Sequence, residues 1–250
     1  MSRQGVLAGH VVPDARTRHA SADMRAAIEA LQRSAVLPAG AGERFAGFSA
    51  LGIAFASGDV LAVHGIVASS LGPPFVSVWH RAPRGAWRFY ADVEPDRSLA
   101  RFTATDPAQA VTTAVVLRWL GPEMLRLTVP AAAIDVTLRL AASPFTRILA
   151  DVRGRGAPPV RYSRGALRLL AWGARAFLRA GRISLAGRTP TGARLAVHPQ
   201  GLWTVADASG TIEGRALGRL ARPPRPVRLG TLWLPMRPLV VVSAAAVHPP

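Results

Sequence analysis

Cysteine is absent from the 250 residues of the sequence, which excludes disulfide scaffolds, zinc ribbons, iron–sulfur clusters and thiol catalysis. Lysine and asparagine are absent too, so all 31 basic residues are arginine. Only 18% of the residues are charged and 50% are hydrophobic, which excludes an intrinsically disordered chain. A chain of this length buries a large core without a metal or disulfide staple.

Acidic residues are scarce in the second half of the chain, and the formal net charge of +17 is concentrated there. Residues 1–135 hold 13 arginines and 11 acids, a net charge of +2. Residues 136–250 hold 18 arginines and 3 acids, a net charge of +15. Any role of the positive charge therefore belongs to the second half.

Long hydrophobic runs are also missing. The longest uncharged stretch, residues 60–80, contains His64, Gly65, Gly72 and the pair Pro73–Pro74, so it cannot form one continuous membrane-spanning helix. The first twenty residues have no apolar segment typical of a secretory signal. We therefore expect a cytoplasmic protein, either free or at the periphery of a membrane.

Alternating apolar and polar residues, separated by turn signals, predict about a dozen strands. The strongest case is 134–140, where apolar side chains at every second position face one way and polar ones face the other. The predicted strands are 48–56, 60–69, 75–80, 87–91, 111–120, 124–129, 134–140, 182–186, 193–197, 202–206, 210–213, 232–235 and 239–245.

These elements predict a mainly β protein in which antiparallel meanders form one or two lipocalin-like barrels or sandwiches. A short helix at 21–34 precedes the strands, and one long amphipathic helix at 162–180 interrupts them. The chain then divides into four parts. The two β units among them are either separate domains or one continuous domain. The four parts are an N-terminal helical segment (1–40), a first β unit (41–150), a loop with the amphipathic helix (151–181) and a second β unit (182–250).

The predicted helix at 162–180 carries a stripe of arginines, because its basic residues are spaced so that they fall within one narrow arc. One interpretation is a surface that docks on anionic lipid or on another polyanion, with a tryptophan at the membrane interface. The other is a helix packed on a sheet, with its arginines in water. The residues of this stripe are Arg161, Arg164, Arg168, Trp172, Arg175 and Arg179.

Specific nucleic-acid binding is not expected, despite the charge. Asparagine is absent, glutamine is scarce, and the basic helix carries no polar side chains of the kind that read bases. Contact with phosphates through charge alone stays open.

The densest group of titratable side chains in the first half lies in and just after the strands 75–80 and 87–91. His80 beside a carboxylate is a candidate general base, and Tyr90 and Asp92 are further catalytic candidates. Asp92, Glu94 and Asp96 alternate as ligands of a hard cation do, but alternating acids after a strand are also typical of a solvated turn. We predict no metal ion and no cofactor.

His64 lies in an apolar strand, where its imidazole faces either a cavity or a core that satisfies it. Together with residues of the following hairpin it forms our predicted ligand-binding set. The sequence contains no P-loop, HExxH, complete GxGxxG or nucleophile elbow, so nucleotide-dependent and hydrolytic enzymes are unsupported. The predicted set is His64, Trp79, His80, Arg81 and Trp87.

Five segments resemble a family of actinobacterial proteins that has no assigned activity: residues 78–81, 87–95, 139–147, 179–192 and 232–237. Relatives in that family have asparagine where this sequence has Thr191, within the same tight turn. The layout of meanders and tryptophans is also distantly similar to two-lipocalin-domain proteins such as carotenoid hydratases, which act on apolar isoprenoids. That likeness implies a barrel but transfers no catalytic residues.

Our leading hypothesis is a lipocalin-like β protein that binds, and in one version modifies, an apolar or amphiphilic small molecule inside a barrel. The alternative is a peripheral membrane or polyanion-binding module that uses the arginine stripe. Whether the protein is an enzyme is left open.

Overall fold

The computed structural model describes residues 25, 26, 28–30, 33, 37, 39–142, 181 and 183–250. The predicted amphipathic helix, with its arginine stripe, lies outside these residues. The described residues between Arg25 and Arg33 are helical, in agreement with the predicted short helix, and Ile28 is fully buried.

The protein is mainly β, as predicted. Short helical turns connect some of the strands: 3-10 helices at Pro95–Arg97, Pro107–Gln109 and Pro130–Ala132, and one α-helical turn at Ala100–Thr103. The strands are β1 (Glu43–Ala54), β2 (Val60–Ser69), β3 (Phe75–Arg81), β4 (Trp87–Ala91), β5 (Ala110–Thr112), β6 (Val116–Trp119), β7 (Met124–Val129), β8 (Ile134–Ala141), β9 (Ala186–Arg188), β10 (Arg194–Ile212), β11 (Arg215–Ala216), β12 (Arg228–Leu229), β13 (Leu232–Trp233) and β14 (Leu239–His248).

Ten of the described strands form one continuous sheet in the order β5-β4-β3-β2-β1-β14-β10-β8-β7-β6. Neighbouring strands are antiparallel except β4 and β5, which are parallel. β9 and β11 also pair with β10, and β12 pairs with β13 in a separate small hairpin. The sheet thus combines strands from both predicted β units.

The connection between β5 and β6 shows that this sheet is curled. These strands are its two edges, yet only residues 113–115 separate them in the sequence. A flat sheet of ten strands would hold its edges about 43 Å apart, at about 4.8 Å per strand. Four Cα steps reach only about 14 Å, so the sheet must bend until its edges come together.

The inner face of this curled sheet is filled by the largest cluster of buried side chains. Strand β8 illustrates it, since Ile134, Val136, Leu138 and Leu140 are all buried as its alternation predicts. We call this side of the sheet the inner face and the other side the outer face. Further members of the cluster come from strands across the whole sheet, among them Phe48, Val63, Val78, Tyr90, Leu127, Trp203 and Val242.

Three parts of the predicted strand pattern differ from the observed strands. The predicted strand 182–186 overlaps β9 (Ala186–Arg188) only at Ala186. The predicted strands 193–197, 202–206 and 210–213 are one strand, β10, because two bulges let it bend without ending, the first between Pro199 and Gly201. The predicted strand 111–120 is two strands, because the chain crosses there from one edge of the sheet to the other.

Strand β1 also contains a bulge, between Ala50 and Ile53. Gly52 lies in it with φ of +71°, a conformation that residues with a side chain rarely adopt. A Cβ atom at Gly52 would also overlap the carbonyl oxygen of Pro235. Glycine is therefore required here by backbone conformation and by space.

No helix within the described residues is long and apolar enough to cross a membrane.

Candidate ligand-binding cavity

A cavity of about 120 Å³ lies against the outer face of the sheet. Its floor is formed by five neighbouring strands, which each contribute every second side chain because alternate residues of a strand face the same way. The floor residues are Phe45, Gly47, Ser49 and Leu51 of β1, His64 and Ile66 of β2, Trp79 of β3, Leu195 and Val197 of β10, and Val241, Ser243, Ala245 and Val247 of β14.

Three segments cover this floor. They are the helical turn with Leu99 and Phe102, residues 183–189, and the β12–β13 hairpin. Gly187 permits close packing of the second and third segments, since a Cβ atom there would lie 2.7 Å from Leu232 Cδ2. The cover is held to the helical turn by Thr191, whose hydroxyl donates to the carbonyl of Phe102 at 2.9 Å.

The described lining of the cavity is uncharged. No aspartate, glutamate or arginine occurs among its lining residues in the described part of the chain, although the protein carries 31 arginines. A charged ligand would therefore lose its hydration without gaining a counter-charge, which is costly.

The polar part of the wall consists of Ser49, His64 and Trp79. Ser49 and His64 face each other across β1 and β2, and Ser49 Oγ lies 2.8 Å from His64 Nδ1. The imidazole packs against the Trp79 indole with ring centroids 4.3 Å apart. Both rings are buried, and neither His64 Nε2 nor Trp79 Nε1 has a hydrogen-bond partner among the residues that the structure describes.

Burial lowers the pKa of His64 from 6.5 to about 3, so its imidazole is neutral at physiological pH. Two tautomers fit the contact with Ser49. Either the Ser49 hydroxyl donates to Nδ1, or Nδ1–H donates to Ser49 Oγ. An imidazole with so low a pKa is a weak general base near pH 7. The arrangement is therefore suited to hydrogen bonding more than to proton transfer.

His80, predicted as both a catalytic and a ligand-binding residue, is on the other side of the sheet from Trp79. Its Nε2 lies 2.8 Å from Oδ1 of Asp59, a fully buried carboxylate. The second oxygen of Asp59 accepts from Ser57 Oγ at 2.7 Å and from Arg215 at 2.9 Å. Burial raises the pKa of Asp59, but the hydrogen bonds from Ser57, His80 and Arg215 outweigh it and hold that pKa below its ordinary value.

Asp59 is a residue that the sequence did not single out. It belongs to a Ser-Gly-Asp turn between two strands, where an exposed acid is the usual case. Its partner Arg215 is 156 residues further along the chain, so no local pattern points to the contact. The cluster joins the β1–β2 turn to β3 and to β11.

The other predicted catalytic and cation-binding residues have separate structural contacts. Tyr90 is in the inner core, and burial raises its pKa. Asp92 accepts from the amide of Val76, and Glu94 accepts from Thr112. Within the residues described, no group of three or more His, Asp or Glu side chains is arranged to hold a metal ion.

Of the five predicted ligand-binding residues, His64 and Trp79 line the cavity, whereas His80, Arg81 and Trp87 are not among its lining residues. Trp87 stacks on Phe89, with centroids 6.2 Å apart and rings almost parallel. The predicted anion or membrane surface, Arg161, Arg164, Arg168, Trp172, Arg175 and Arg179, lies outside the described residues and stays a prediction.

The fold and the cavity define a curled, mainly antiparallel β protein with a small apolar cavity on its outer face. No protein-family description matches the sequence, and no curated protein does. Among solved structures, acetoacetate decarboxylase from Legionella pneumophila is similar over 85% of this chain and 86% of that chain, with a TM-score of 0.40 and 12% identity. A likeness of that size carries no information about ligand or chemistry here. The resemblances to an actinobacterial family and to two-lipocalin-domain proteins stay predictions.

Proposed function

We propose that the protein binds one small, predominantly apolar molecule in the cavity on the outer face of its sheet. The observation that carries this proposal is an apolar cavity whose described lining is uncharged and includes His64 and Trp79, the buried ring nitrogens of which, Nε2 and Nε1, have no partner within the described part of the chain. Buried polar atoms in folded proteins almost always have partners, and a ligand would supply them here.

The volume sets the size of the ligand. An engineered apolar cavity of about 150 Å³ in another protein stays dry and binds benzene. The cavity of about 120 Å³ described above therefore suits a molecule of about one six-membered ring. This location differs from our expectation from the sequence, which placed the ligand inside the barrel, because side chains such as Phe48 and Val63 fill that interior.

Binding is a better interpretation than covalent catalysis. The sequence has no lysine, so a Schiff base between lysine and a carbonyl substrate is not available. No cysteine is present, and Ser49 contacts an imidazole whose low pKa makes it a poor activating base.

Titration of the protein with toluene, followed by NMR, tests the proposal. We expect saturable binding at one site, with chemical-shift changes at residues of β1, β2 and β14. Ala245→Leu places extra bulk in the cavity and should abolish binding.

The matched control is Ala246→Leu, because Ala246 is the next residue of β14 and is not among the cavity residues. This variant should bind toluene like the wild type. Absence of saturable binding to the folded wild-type protein, or equal binding by both variants, would refute the proposal.

A further inference from the structure

We infer that the cavity selects neutral molecules with one uncharged oxygen, a hydroxyl or a carbonyl, bound against His64 and Trp79. The inference rests on the proposed function and specifies the chemical class of its ligand. It combines a described lining without charged side chains with two buried ring nitrogens, in neighbouring side chains, that lack partners among the described residues.

Neutrality follows from the lining. A carboxylate in the cavity would meet no arginine, and an ammonium would meet no acid, among the described lining residues. His64 does not supply a positive charge either, since burial keeps its imidazole neutral. The arginines of the described residues therefore do not make this cavity an anion site.

The need for an oxygen follows from the two nitrogens. Trp79 Nε1 carries a hydrogen and can only donate, so its partner must be an acceptor. If His64 Nδ1–H donates to Ser49, then Nε2 is an acceptor, and a ligand hydroxyl can accept from Trp79 and donate to His64. If Ser49 donates to Nδ1, then Nε2–H is a second donor, and a hydroxyl or a carbonyl oxygen can accept from either ring.

The indole and the imidazole both line the cavity and are adjacent, with ring centroids 4.3 Å apart, so the two rings form one part of its wall. The rest of the lining consists of aliphatic and aromatic side chains and a few small hydroxyl-bearing ones. A ligand that fits has one polar end at this wall and an apolar body elsewhere.

Phenol, toluene and benzoate test this specificity, because phenol and toluene differ by a hydroxyl in place of a methyl group and benzoate adds a charge. Dissociation constants are measured by NMR titration for the wild type and for Trp79→Phe, which removes the indole N–H but keeps an aromatic ring. We expect the preference for phenol over toluene to fall about five- to tenfold in the variant, the effect of one lost hydrogen bond. His64→Phe should lower the same preference and provides a second variant if the first does not fold.

Trp203→Phe is the matched control. Trp203 is as buried as Trp79, and its Nε1 also lacks a partner among the described residues, but it belongs to the inner core and not to the cavity. This variant should keep the wild-type preference for phenol.

The outcomes separate the inference from the proposed function. Toluene binding without any change of preference in Trp79→Phe and His64→Phe overturns the inference and leaves the proposed function standing. Binding of none of the compounds overturns both. If benzoate binds the wild type and this binding is lost in Ala245→Leu, benzoate occupies the cavity and the inference is overturned. If benzoate binding survives in Ala245→Leu, benzoate binds to surface arginines and not in the cavity, which supports the inference.

Discussion

Acid should destabilise this protein through His64 well before its carboxylates are protonated. The His64 pKa is about 3 in the folded protein and 6.5 in the unfolded chain. Between these values the unfolded state binds a proton that the folded state does not. The free energy of unfolding therefore falls as the pH drops below 6.5 and is independent of His64 above it.

The size of the effect follows from the pKa difference. Each pH unit within the window is worth about 1.4 kcal/mol, so at pH 4.5 the loss from His64 amounts to about 2.7 kcal/mol. That is a large part of the total stability of about 5–15 kcal/mol that is typical of a folded domain.

Urea denaturation at pH 7.5, 6.5, 5.5 and 4.5, followed by far-UV circular dichroism, measures this loss. His64→Gln removes the titrating group but keeps a polar side chain that can pair with Ser49. The stability difference between wild type and variant should shift by about 2.7 kcal/mol in favour of the variant between pH 7.5 and 4.5.

Ala246→Leu, which leaves His64 in place and lies outside the cavity, is the control and should keep the wild-type pH profile. If His64→Gln shows the same profile as the wild type, the imidazole is not held neutral by burial, and the neutrality of the cavity would have to be abandoned.

Further predictions concern the Asp59 cluster and the bulge in β1. Asp59→Ala should cost about 1–3 kcal/mol in urea denaturation, because it leaves the buried His80 imidazole without its partner, whereas Arg215, the other partner, is half exposed and stays solvated. Asp135→Ala should cost far less, since its pair with Arg126 is exposed. Because the pKa of Asp59 is lowered on folding, the stabilising effect of its carboxylate should be complete above about pH 4 and decline below it. A difference in unfolding free energy between wild type and Asp59→Ala that stays constant down to pH 2 would contradict this. Gly52→Ala should lower the free energy of unfolding clearly more than Gly214→Ala. Both glycines have positive φ, but only at Gly52 would a Cβ atom also overlap a backbone carbonyl. Equal losses of about 1 kcal/mol in the two variants would show that the backbone of β1 shifts to accommodate the Cβ atom.

Much of the strand pattern could be read from the sequence where pairing is local. The bounds of β2, β4 and β7 agree to the residue with the predicted ones, since each lies between strong turn signals. The pairing of β1 with β14 joins Glu43 to Val247, and no local pattern specifies a partner so far along the chain. The length of β10 was missed because its first bulge lies between Pro199 and Gly201, and proline and glycine are usually signals of a turn.

The candidate site shows a different limit. Trp79 and His80 are adjacent in the sequence and seemed to belong to one site. Adjacent residues of a strand face opposite sides of the sheet, so Trp79 lies at the cavity and His80 at Asp59. The partner that completes the wall, Ser49, comes from another strand and becomes visible only with the pairing of β1 and β2.

The position of β14 has a consequence for the synthesis of the protein. This strand, the last of the described strands, lies in the middle of the sheet, between β1 and β10. Until β14 has left the ribosome, strands β1–β5 and strands β6–β10 are not joined into one sheet, and the cavity floor lacks a strand. A nascent chain therefore carries two unpaired strand edges until that point, at which other chains could pair wrongly. Folding into the curled sheet should be slow, because the contacts that complete it, such as that of Glu43 with Val247, span almost the entire described chain.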